Sequence, residues 1–256
     1  MSNMIALTPY LDVNAVLHAL LPSIQAILGD QFVGMYVHGS LASGDFNPAT
    51  SDIDFVVVTA TSLPDELIPA LGAMHARLID GGLKWAAKLE GTYFPHEVIR
   101  HYQPSDALYP SLNEGSFYMG HHGSDWVIQS HILREHGVVV AGPAPRDLID
   151  PVTPDEVRDA MRALLQEWWA PMLQDTARLR SDVYQAYAIL TMCRALYTLE
   201  TGEVVSKPVA ARWAQKCFGK RAATVERALA WRPGARLDAL DETRNLIQYT
   251  LERSKE

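Results

Sequence analysis

The sequence predicts an α+β fold, in which a mixed sheet with helices is followed by an all-helical bundle. Two observations predict this class. Before residue 150, short β-branched runs such as Val56, Val57 and Val58 alternate with amphipathic helical segments. After residue 150, the apolar residues recur at helical spacing throughout. We therefore expect two domains, residues 1–150 and residues 151–256, since 256 residues suit one large domain or two small ones.

The first predicted elements are a helix and a strand. Asp12 is a suitable cap for a helix whose apolar residues recur at helical spacing, and Gly29 can end it. Pro22 inside this helix predicts a kink or a break. A buried strand is expected over residues 32–38, and a second, stronger strand over residues 52–59.

The remaining elements of the first half are two helices and two strands. A helix is expected over residues 65–79, interrupted by Pro69. Residues 83–90 alternate between apolar and polar side chains, which predicts a strand. Another helix is expected over residues 124–136, followed by a short strand at residues 138–140.

The second half begins at a clear helix start. Thr153, Pro154 and Glu156 form a capping-box pattern with proline at the first helical position. The helical segments that follow are residues 157–168, 182–200, 207–217, 221–231 and 236–253.

Composition and charge exclude several classes of protein. The apolar fraction of 48% is that of a folded globular protein. With 22 basic and 30 acidic residues, the net charge is −8, which argues against a protein that grips nucleic acid. Cys193 and Cys217 are too few for a disulfide framework or a four-ligand zinc site of their own.

The termini and the hydropathy pattern predict a cytoplasmic protein with no membrane partner. The N-terminal sequence lacks the cationic start and long apolar run of a signal peptide. No apolar stretch approaches the roughly 20 residues that span a bilayer. The oligomeric state stays open, and a monomer is consistent with the sequence.

Residues 37–58, VHGSLASGDFNPATSDIDFVVV, hold the most informative motif. Gly39-Ser40 follows a predicted strand, where a glycine permits close approach of a ligand and a serine hydroxyl can bind phosphate oxygens. Asp52 and Asp54 are two residues apart at a strand start, so both carboxylates project from one face. Two convergent carboxylates are the ligands that Mg²⁺ takes when it bridges substrate phosphates.

Each part of this motif has an ordinary structural alternative. An Asp-x-Asp pattern at a strand start is commonly a turn feature. The combination with Gly39-Ser40 and strands on both sides favours a site. A P-loop is excluded, because Asp45 stands where that motif requires lysine after Gly44.

The motif resembles the Gly-Ser…Asp-x-Asp signature of the nucleotidyltransferase superfamily, whose catalytic core is polymerase-β-like. Two further segments, ILREHGVVVAGP and LTMCRALYTLETGEVVSKPVAARWA, resemble the aminoglycoside adenylyltransferases that modify streptomycin and spectinomycin. The resemblance implies a Mg²⁺-dependent transfer of AMP from ATP to a hydroxyl of such an antibiotic, with release of pyrophosphate.

The resemblance also assigns residues. Asp52 and Asp54 correspond to the metal-binding aspartates, and Ser40 with Gly39 and Ser51 to the phosphate-contacting residues. A third carboxylate acts as the general base in this family.

Glu90 corresponds to that base, at the end of the strand that follows Asp54, on a polar face shared with Lys84 and Lys88. Glu97 is the alternative base. A solvated surface glutamate is the ordinary interpretation of Glu90.

The resemblance places four further residues near the nucleotide. Arg194 and Lys207 correspond to cations that reach the triphosphate, Tyr249 to an adenine-side tyrosine, and Asp125 to an aspartate near the nucleotide. Surface cations, a core aromatic and a first-turn helix acid are the structural alternatives.

The acceptor side departs from the family pattern. Streptomycin-modifying relatives have acidic residues and a histidine where this chain has Arg180, Tyr184 and Tyr187. Asp175 and Asp182 lie near but out of register. Because a polycationic acceptor favours carboxylates, spectinomycin-like or unrelated hydroxyl acceptors stay open.

Two other residue groups have weaker functional interpretations. Trp126, Trp168 and Trp169 are candidates for lining the acceptor site, although helix-core packing is the commoner role of tryptophan. His121, His122, His131 and His136 have the irregular spacing of surface or hydrogen-bonding histidines rather than of a transition-metal site.

Two alternatives to antibiotic modification remain. A nucleotidyltransferase of the same fold could act on a protein or another metabolite, and a catalytically inactive nucleotide-binding module would keep the fold without turnover.

Overall fold

The computed structural model describes residues 6–256 of the protein. The chain divides into two compact units, which we call the sheet unit and the helical unit. The sheet unit comprises Met1–Phe46, Ser51–His122 and Gln129–Pro151, and the helical unit comprises Asn47–Thr50, Gly123–Ile128 and Val152–Glu256. The units are therefore not continuous stretches of chain, unlike the two expected domains.

Six strands form one sheet in the part of the chain that the structure describes. They are β1 (Phe32–Val37), β2 (Ile53–Thr59), β3 (Leu89–Pro95), β4 (Tyr109–Asn113), β5 (Ser116–Gly120) and β6 (Val138–Ala141). The order across the sheet is β5–β4–β3–β2–β1–β6. Strands β2 and β3 run parallel, and the other neighbouring pairs run antiparallel. The mixed sheet followed by helices is the predicted fold class.

The helices of the sheet unit vary in length. They are α1 (Leu11–Leu28), α2 (Gly39–Ala42), α3 (Leu67–Asp80), α4 (His96–Arg100) and α6 (Pro145–Leu148), while α5 (Asp125–His136) begins in the helical unit. A parallel pair of strands requires a crossover connection, and α3 lies in the connection between β2 and β3.

Helix α1 supplies much of the core beneath the sheet. Val16, Leu17 and Leu20 are fully buried with the side chains of β1 and β2. Against the sequence expectation, Leu11–Gln31 is long and apolar enough to cross a membrane by length and mean hydropathy. A core helix passes the same test, and its buried apolar face gives α1 that role.

Two sequence expectations about elements were wrong, the interruption at Pro69 and the strand over residues 83–90. Helix α1 continues through Pro22 without a break, so of the two outcomes expected there only the kink stays a prediction. Pro69 lies in the first turn of α3, where proline is tolerated. Residues 83–90 are not one strand. A 3₁₀ turn, Ala86–Lys88, precedes β3. The buried residues of this stretch, Trp85, Ala86 and Leu89, have the spacing of a helical turn.

The helical unit confirms the predicted succession of helices. They are α7 (Pro154–Leu164), α8 (Asp182–Thr201), α9 (Lys207–Cys217), α10 (Ala222–Ala230) and α11 (Leu240–Arg253). The capping box at Thr153 is present, with its side chain and that of Glu156 satisfying each other's backbone N–H groups. A π-helical turn, Leu165–Trp169, continues α7.

Candidate active site

Three carboxylates meet at the beginning of the parallel strand pair. Asp52 directly precedes β2, Asp54 is the second residue of β2, and Glu90 is the second residue of β3. Asp54 and Glu90 are register partners across the two strands. Register partners project from the same face of a sheet, and so do residues two apart along a strand.

This geometry corrects the position predicted for Glu90. The glutamate lies at the start of β3, not at a strand end, and β3 extends beyond it to Pro95. It joins the aspartates because parallel strands bring their amino-terminal ends to one edge.

The alternative base, Glu97, lies away from this group. It is an exposed residue in the first turn of α4, which follows Pro95 at the far end of β3. The structure therefore brings Glu90, rather than Glu97, to Asp54.

The surroundings of Glu90 raise its pKa to about 7. Burial is the largest cause, and the charges of Asp52 and Asp54 add to it, while Lys88 opposes it. A carboxylate with a pKa near neutral is a stronger proton acceptor than an ordinary glutamate and is still partly ionised at neutral pH. The electrostatics thus suit a general base.

Lys88 is a site residue that the sequence analysis left on a solvated face. Its Nζ donates to Asp52 Oδ1 at 3.0 Å. This hydrogen bond, with the charge of Asp52, raises the pKa of Lys88. The lysine precedes Glu90 by two residues, and that proximity in sequence is the signal that could have identified it. It offsets part of the negative charge of the three carboxylates.

Gly39 lies directly against Asp54. A Cβ atom at Gly39 would lie 1.9 Å from Asp54 Oδ2, and the glycine has a φ of +60°. Both the close approach and the left-handed backbone require glycine. Gly39, which the motif predicted as a site residue, therefore leaves room for the carboxylate of Asp54.

His38, the residue before Gly39, is a second residue that sequence reasoning did not assign. Its backbone N–H donates to the Asp54 carbonyl oxygen at 3.0 Å, and its side chain is buried. Burial lowers the pKa of His38, while the charge of Asp54 and a hydrogen bond with Gln129 oppose that shift. The histidine anchors the Gly39 turn to β2.

The two predicted phosphate-contacting serines lie in the same unit as the carboxylates. Ser40 follows Gly39 in α2, and its carbonyl oxygen accepts from the Asp45 N–H at 3.0 Å. Ser51 directly precedes Asp52. Both are half-buried.

The donor set at the strand starts fits a hard divalent cation. Asp52 and Asp54 offer carboxylate oxygens, and their charges, after burial, raise the pKa of the neighbouring Glu90. Within residues 6–256, no group of three or more His, Cys, Asp or Glu side chains is arranged to hold a metal ion alone. The fit is therefore that of two aspartates whose coordination a ligand's oxygens would complete.

The other predicted nucleotide residues lie in the helical unit. Asp125 is the first residue of α5, and burial raises its pKa, with a smaller contribution from Glu167. The Glu167 carboxylate accepts from the Ser124 hydroxyl at 2.8 Å and from its N–H at 3.3 Å. Glu167, which the sequence analysis did not single out, thus holds the start of the helix that carries Asp125.

Two predicted residues of this group contact aromatic or cationic partners. Lys207 is the first residue of α9, and its Nζ lies 4.0 Å from the centre of the Tyr187 ring. Tyr249, in α11, has the Arg221 guanidinium 4.2 Å from its ring centre and Phe218 against it at 6.0 Å. Its ring therefore already makes core-like contacts.

Arg194 lies in α8 between two buried residues, Cys193 and Ala195, and is itself half-buried. Its position along the helix is the predicted one. None of these positions by itself establishes contact with a nucleotide.

The residues expected near the acceptor form an aromatic group. Tyr184 and Tyr187 lie 5.4 Å apart by ring centres, and Trp169 stacks on Tyr187 at 6.0 Å. The indole N–H of Trp168 donates to the Tyr184 hydroxyl at 3.3 Å. Trp168 and Tyr187 are exposed, whereas Trp126 is buried.

Two cations contact rings of the aromatic group. Arg178 lies 5.2 Å from the ring centre of Trp168, and Lys207 Nζ lies 4.0 Å from that of Tyr187. Arg180 is exposed. The Asp182 carboxylate instead accepts from the backbone N–H groups of Leu237 and Asp238.

His122 has the contacts of a structural histidine. Its Nε2 lies 3.0 Å from Ser111 Oγ and 3.2 Å from Thr92 Oγ1, and burial lowers its pKa to about 4. A neutral histidine in a hydroxyl network needs no metal to explain it.

Two family models match the chain. The nucleotidyltransferase domain model matches residues 23–90, which contain Asp52, Asp54 and Glu90. The model of the aminoglycoside adenylyltransferase C-terminal domain matches residues 147–256.

Curated relatives and a solved structure agree with these models. An aminoglycoside (3'') (9) adenylyltransferase of Shigella flexneri is 26% identical over 80% of this chain and 79% of its own length. A spectinomycin 9-adenylyltransferase of Staphylococcus aureus is 27% identical over 79% of this chain and 78% of its own length.

The crystal structure of a spectinomycin adenyltransferase from Enterococcus faecialis with ATP and spectinomycin shares the fold. It superposes with a TM-score of 0.75 at 17% identity, covering 94% of this chain and 99% of that one. The chain is a nucleotidyltransferase that belongs to the aminoglycoside adenylyltransferase family.

Proposed function

We propose that the protein transfers AMP from ATP to a hydroxyl of an aminoglycoside-type antibiotic, of the streptomycin or spectinomycin kind, and releases pyrophosphate. The observation that carries the proposal is the register pairing of Asp54 with Glu90, which joins a metal-binding pair to a carboxylate of raised pKa. Nucleotidyl transfer needs both, because the phosphates must be neutralised and the hydroxyl must lose its proton.

The roles of the residues follow from this arrangement. Asp52 and Asp54 would hold Mg²⁺, which when bound supplies charge neutralisation at the phosphate oxygens. Glu90 accepts the proton of the acceptor hydroxyl. The hydroxyl oxygen bonds to the α-phosphorus, and the bond between the α-phosphorus and the leaving pyrophosphate breaks. Ser40 and Ser51 donate hydrogen bonds to phosphate oxygens.

The helical unit supplies the cations in this proposal. Arg194 and Lys207 pair with the triphosphate, and Asp125 and Tyr249 contact the nucleoside part. Positioned cations stabilise the charge on a departing pyrophosphate. The protein acts in the cytoplasm, with ATP as co-substrate and with neither nucleic acid nor membrane as a partner, and its oligomeric state stays open.

The names of the relatives support the antibiotic acceptor. Those relatives are described as aminoglycoside (3'') (9) and spectinomycin 9-adenylyltransferases, and the solved structure holds ATP and spectinomycin.

A second candidate keeps the chemistry and changes the acceptor to a protein or another metabolite. The observation that favours it is the aromatic group, because Tyr184 and Tyr187 occupy two of the three positions at which the family resemblance implies acidic residues and a histidine. Carboxylates bind a polycationic acceptor more strongly than aromatic rings do. Here Arg178 and Lys207 already contact the rings of Trp168 and Tyr187. An inactive nucleotide-binding module is disfavoured, since all three carboxylates are present.

A pyrophosphate-release screen tests the proposal. The protein is incubated with ATP or GTP, Mg²⁺ and a panel of aminoglycosides and spectinomycin, and products are identified by mass spectrometry. We expect release only with ATP, Mg²⁺ and an acceptor together, and an acceptor mass increased by one AMP. Release without any AMP-modified antibiotic but with an AMP-modified protein or metabolite would support the second candidate.

The variant Asp52→Asn should abolish pyrophosphate release. Its matched control is Asp106→Asn, which changes an exposed loop aspartate and should leave the rate of release unchanged. ATP binding without turnover on any acceptor would contradict the proposal.

A further inference from the structure

The basic residues of the protein are concentrated in one segment. Residues 207–236 contain eight lysines and arginines and one acidic residue, Glu226, so this segment carries a net charge of +7 in a chain whose total is −8. We call it the cationic segment. It comprises α9, the 3₁₀ turn Gly219–Arg221, α10 and the loop that follows.

Seven of the eight cations of this segment are exposed, and Lys207 is half-buried. Arg212, Lys216 and Lys220 are exposed and form no salt bridge among residues 6–256. Arg212 and Lys216 are four residues apart on α9, so they share one face of the helix. Arg227 is the member that pairs with a carboxylate, that of Glu242.

The start of α10 adds to the positive field. Arg221 is exposed and directly precedes α10, a helix with no acidic residue in its first turn. The amino-terminal end of a helix carries a positive partial charge, which adds to the charge of this arginine. The surface therefore suits a ligand with negative charge.

The two helix-start cations are also held in place. Lys207 Nζ lies over the ring of Tyr187 at 4.0 Å, and the Arg221 guanidinium lies over that of Tyr249 at 4.2 Å. Each contact limits the freedom of a long side chain and fixes its charge at the surface. Helix α8, which carries Arg194, packs against both α9 and α10.

We propose that the cationic segment is an electrostatic capture surface for the triphosphate of free ATP, which speeds the association of the nucleotide. The inference rests on the proposed function, in which Arg194 and Lys207 bind the triphosphate, and it adds the outer cations Arg212, Lys216 and Lys220. A surface of one sign raises the local concentration of an oppositely charged ligand and its association rate, and salt screens this effect.

The test is the association rate of a ribose-labelled fluorescent ATP, measured by stopped flow without acceptor, with unlabelled ATP as competitor. The variant carries Arg212→Gln, Lys216→Gln and Lys220→Gln together. We expect its association rate constant to be about 3- to 10-fold below that of the wild type at low salt. The two proteins should converge near 0.5 M salt, where the Debye length is only about 4 Å.

The matched control removes three cations from the sheet unit, Arg77→Gln, Arg100→Gln and Arg146→Gln, and so changes the net charge equally. At 0.1 M salt we expect its association rate constant to match the wild type within about twofold, because a Debye length of about 10 Å makes the effect local. Thermal unfolding of both triple variants checks that they are folded.

The possible outcomes separate this inference from the proposed function. Equal salt dependence of wild type and capture-surface variant, or an equal loss in both triple variants, would overturn the capture surface. Loss of salt-sensitive binding of a labelled single-stranded RNA, with unchanged ATP association, would assign the segment to nucleic acid instead. A wild type that shows the expected ATP association kinetics but modifies no acceptor would contradict the proposed function and would leave the capture surface supported.

Discussion

The two units of the molecule differ sharply in charge and in how they place it. The sheet unit has 6 basic and 15 acidic residues, a net charge of −9, whereas the helical unit has 16 basic and 15 acidic residues, a net charge of +1. The sheet unit gathers its carboxylates by strand register, at Asp54 and Glu90. The helical unit places its cations at helix starts and over tyrosine rings, as at Lys207.

This difference teaches how one chain can serve a reaction with conflicting electrostatic needs. A site for a divalent cation requires crowded negative charge, and a site for a triphosphate requires positive charge. Strand register fixes side chains closely enough to hold carboxylates together despite their repulsion. Helix starts offer a positive field that cations then strengthen.

The largest expected effect tests whether the sheet unit's carboxylates are indispensable. Asp54→Asn removes one metal-binding charge without changing the side-chain shape, and we expect kcat for AMP transfer to fall by about 10³-fold or more, as for loss of a main electrostatic group. Steady-state pyrophosphate release measures it, with the exposed Asp65→Asn as control. Turnover within tenfold of the wild type would show that the carboxylates of the sheet unit are not required for AMP transfer.

The second effect separates the two candidate bases on β3 and α4. Glu90→Gln should lower kcat by about 10²- to 10³-fold, the usual contribution of a general base, while Glu97→Gln leaves it within about twofold. The wild-type rate should rise with pH as Glu90 loses its proton, with a midpoint below the pKa of about 7 of the metal-free protein, because bound Mg²⁺ offsets the charges of Asp52 and Asp54. A loss confined to Glu97→Gln would show that the register pairing with Asp54 has been misinterpreted.

The third effect moves to the helical unit and asks whether its cations bind nucleotide. Lys207→Gln should weaken ATP binding by about 10-fold, since one charge-assisted contact to phosphate contributes about 1.4 kcal/mol. Isothermal titration calorimetry without acceptor measures the Kd. Lys255→Gln, near the end of the chain, is the control. An unchanged Kd in both variants would leave the helical unit without its proposed role.

The smallest effect concerns stability in the absence of metal. Glu90 has a pKa of about 7 in the folded protein against 4.5 for a free glutamate, so the folded protein binds this proton more tightly. The resulting stabilisation is present below about pH 4.5 and is lost as the pH rises through about 7.

We therefore expect Glu90→Gln to be more stable than the wild type at pH 8 by about 1–2 kcal/mol, a value discounted for partial exposure, and equally stable at pH 4. Urea unfolding in the presence of a chelator measures the difference. A variant less stable than the wild type at pH 8 would mean that burial and the neighbouring aspartates do not destabilise the charged form of Glu90.

The parts of the molecule that sequence could predict are those set by local patterns. The valine run after Asp54 predicted β2, and the Thr153 capping box predicted the start of α7. The Asp-x-Asp spacing predicted that two carboxylates share a face. Each of these depends on residues within a few positions of one another.

The parts that sequence missed depend on contacts between distant residues. The alternation around Trp85 predicted a strand, but the packing of Trp85 against Phe46 belongs to a helical turn. The Lys207–Tyr187 and Arg221–Tyr249 contacts join different helices, so no local spacing reveals them. The roles of the predicted site residues stay predictions until the variants above are measured.

The parallel pairing of β2 and β3 has a practical consequence for engineering the chain. Because the two strands are joined by a crossover, residues 60–88 link Asp54 to Glu90 without fixing the distance between them; the hydrogen bonds of the sheet do that. Residues 60–62 are exposed, but the N–H groups of Ala60 and Thr61 donate to Gln31, so a reporter domain or new chain ends belong after Ser62. A domain inserted there would lie in the connection between β2 and β3 and would leave the hydrogen-bonded register of the two strands unchanged.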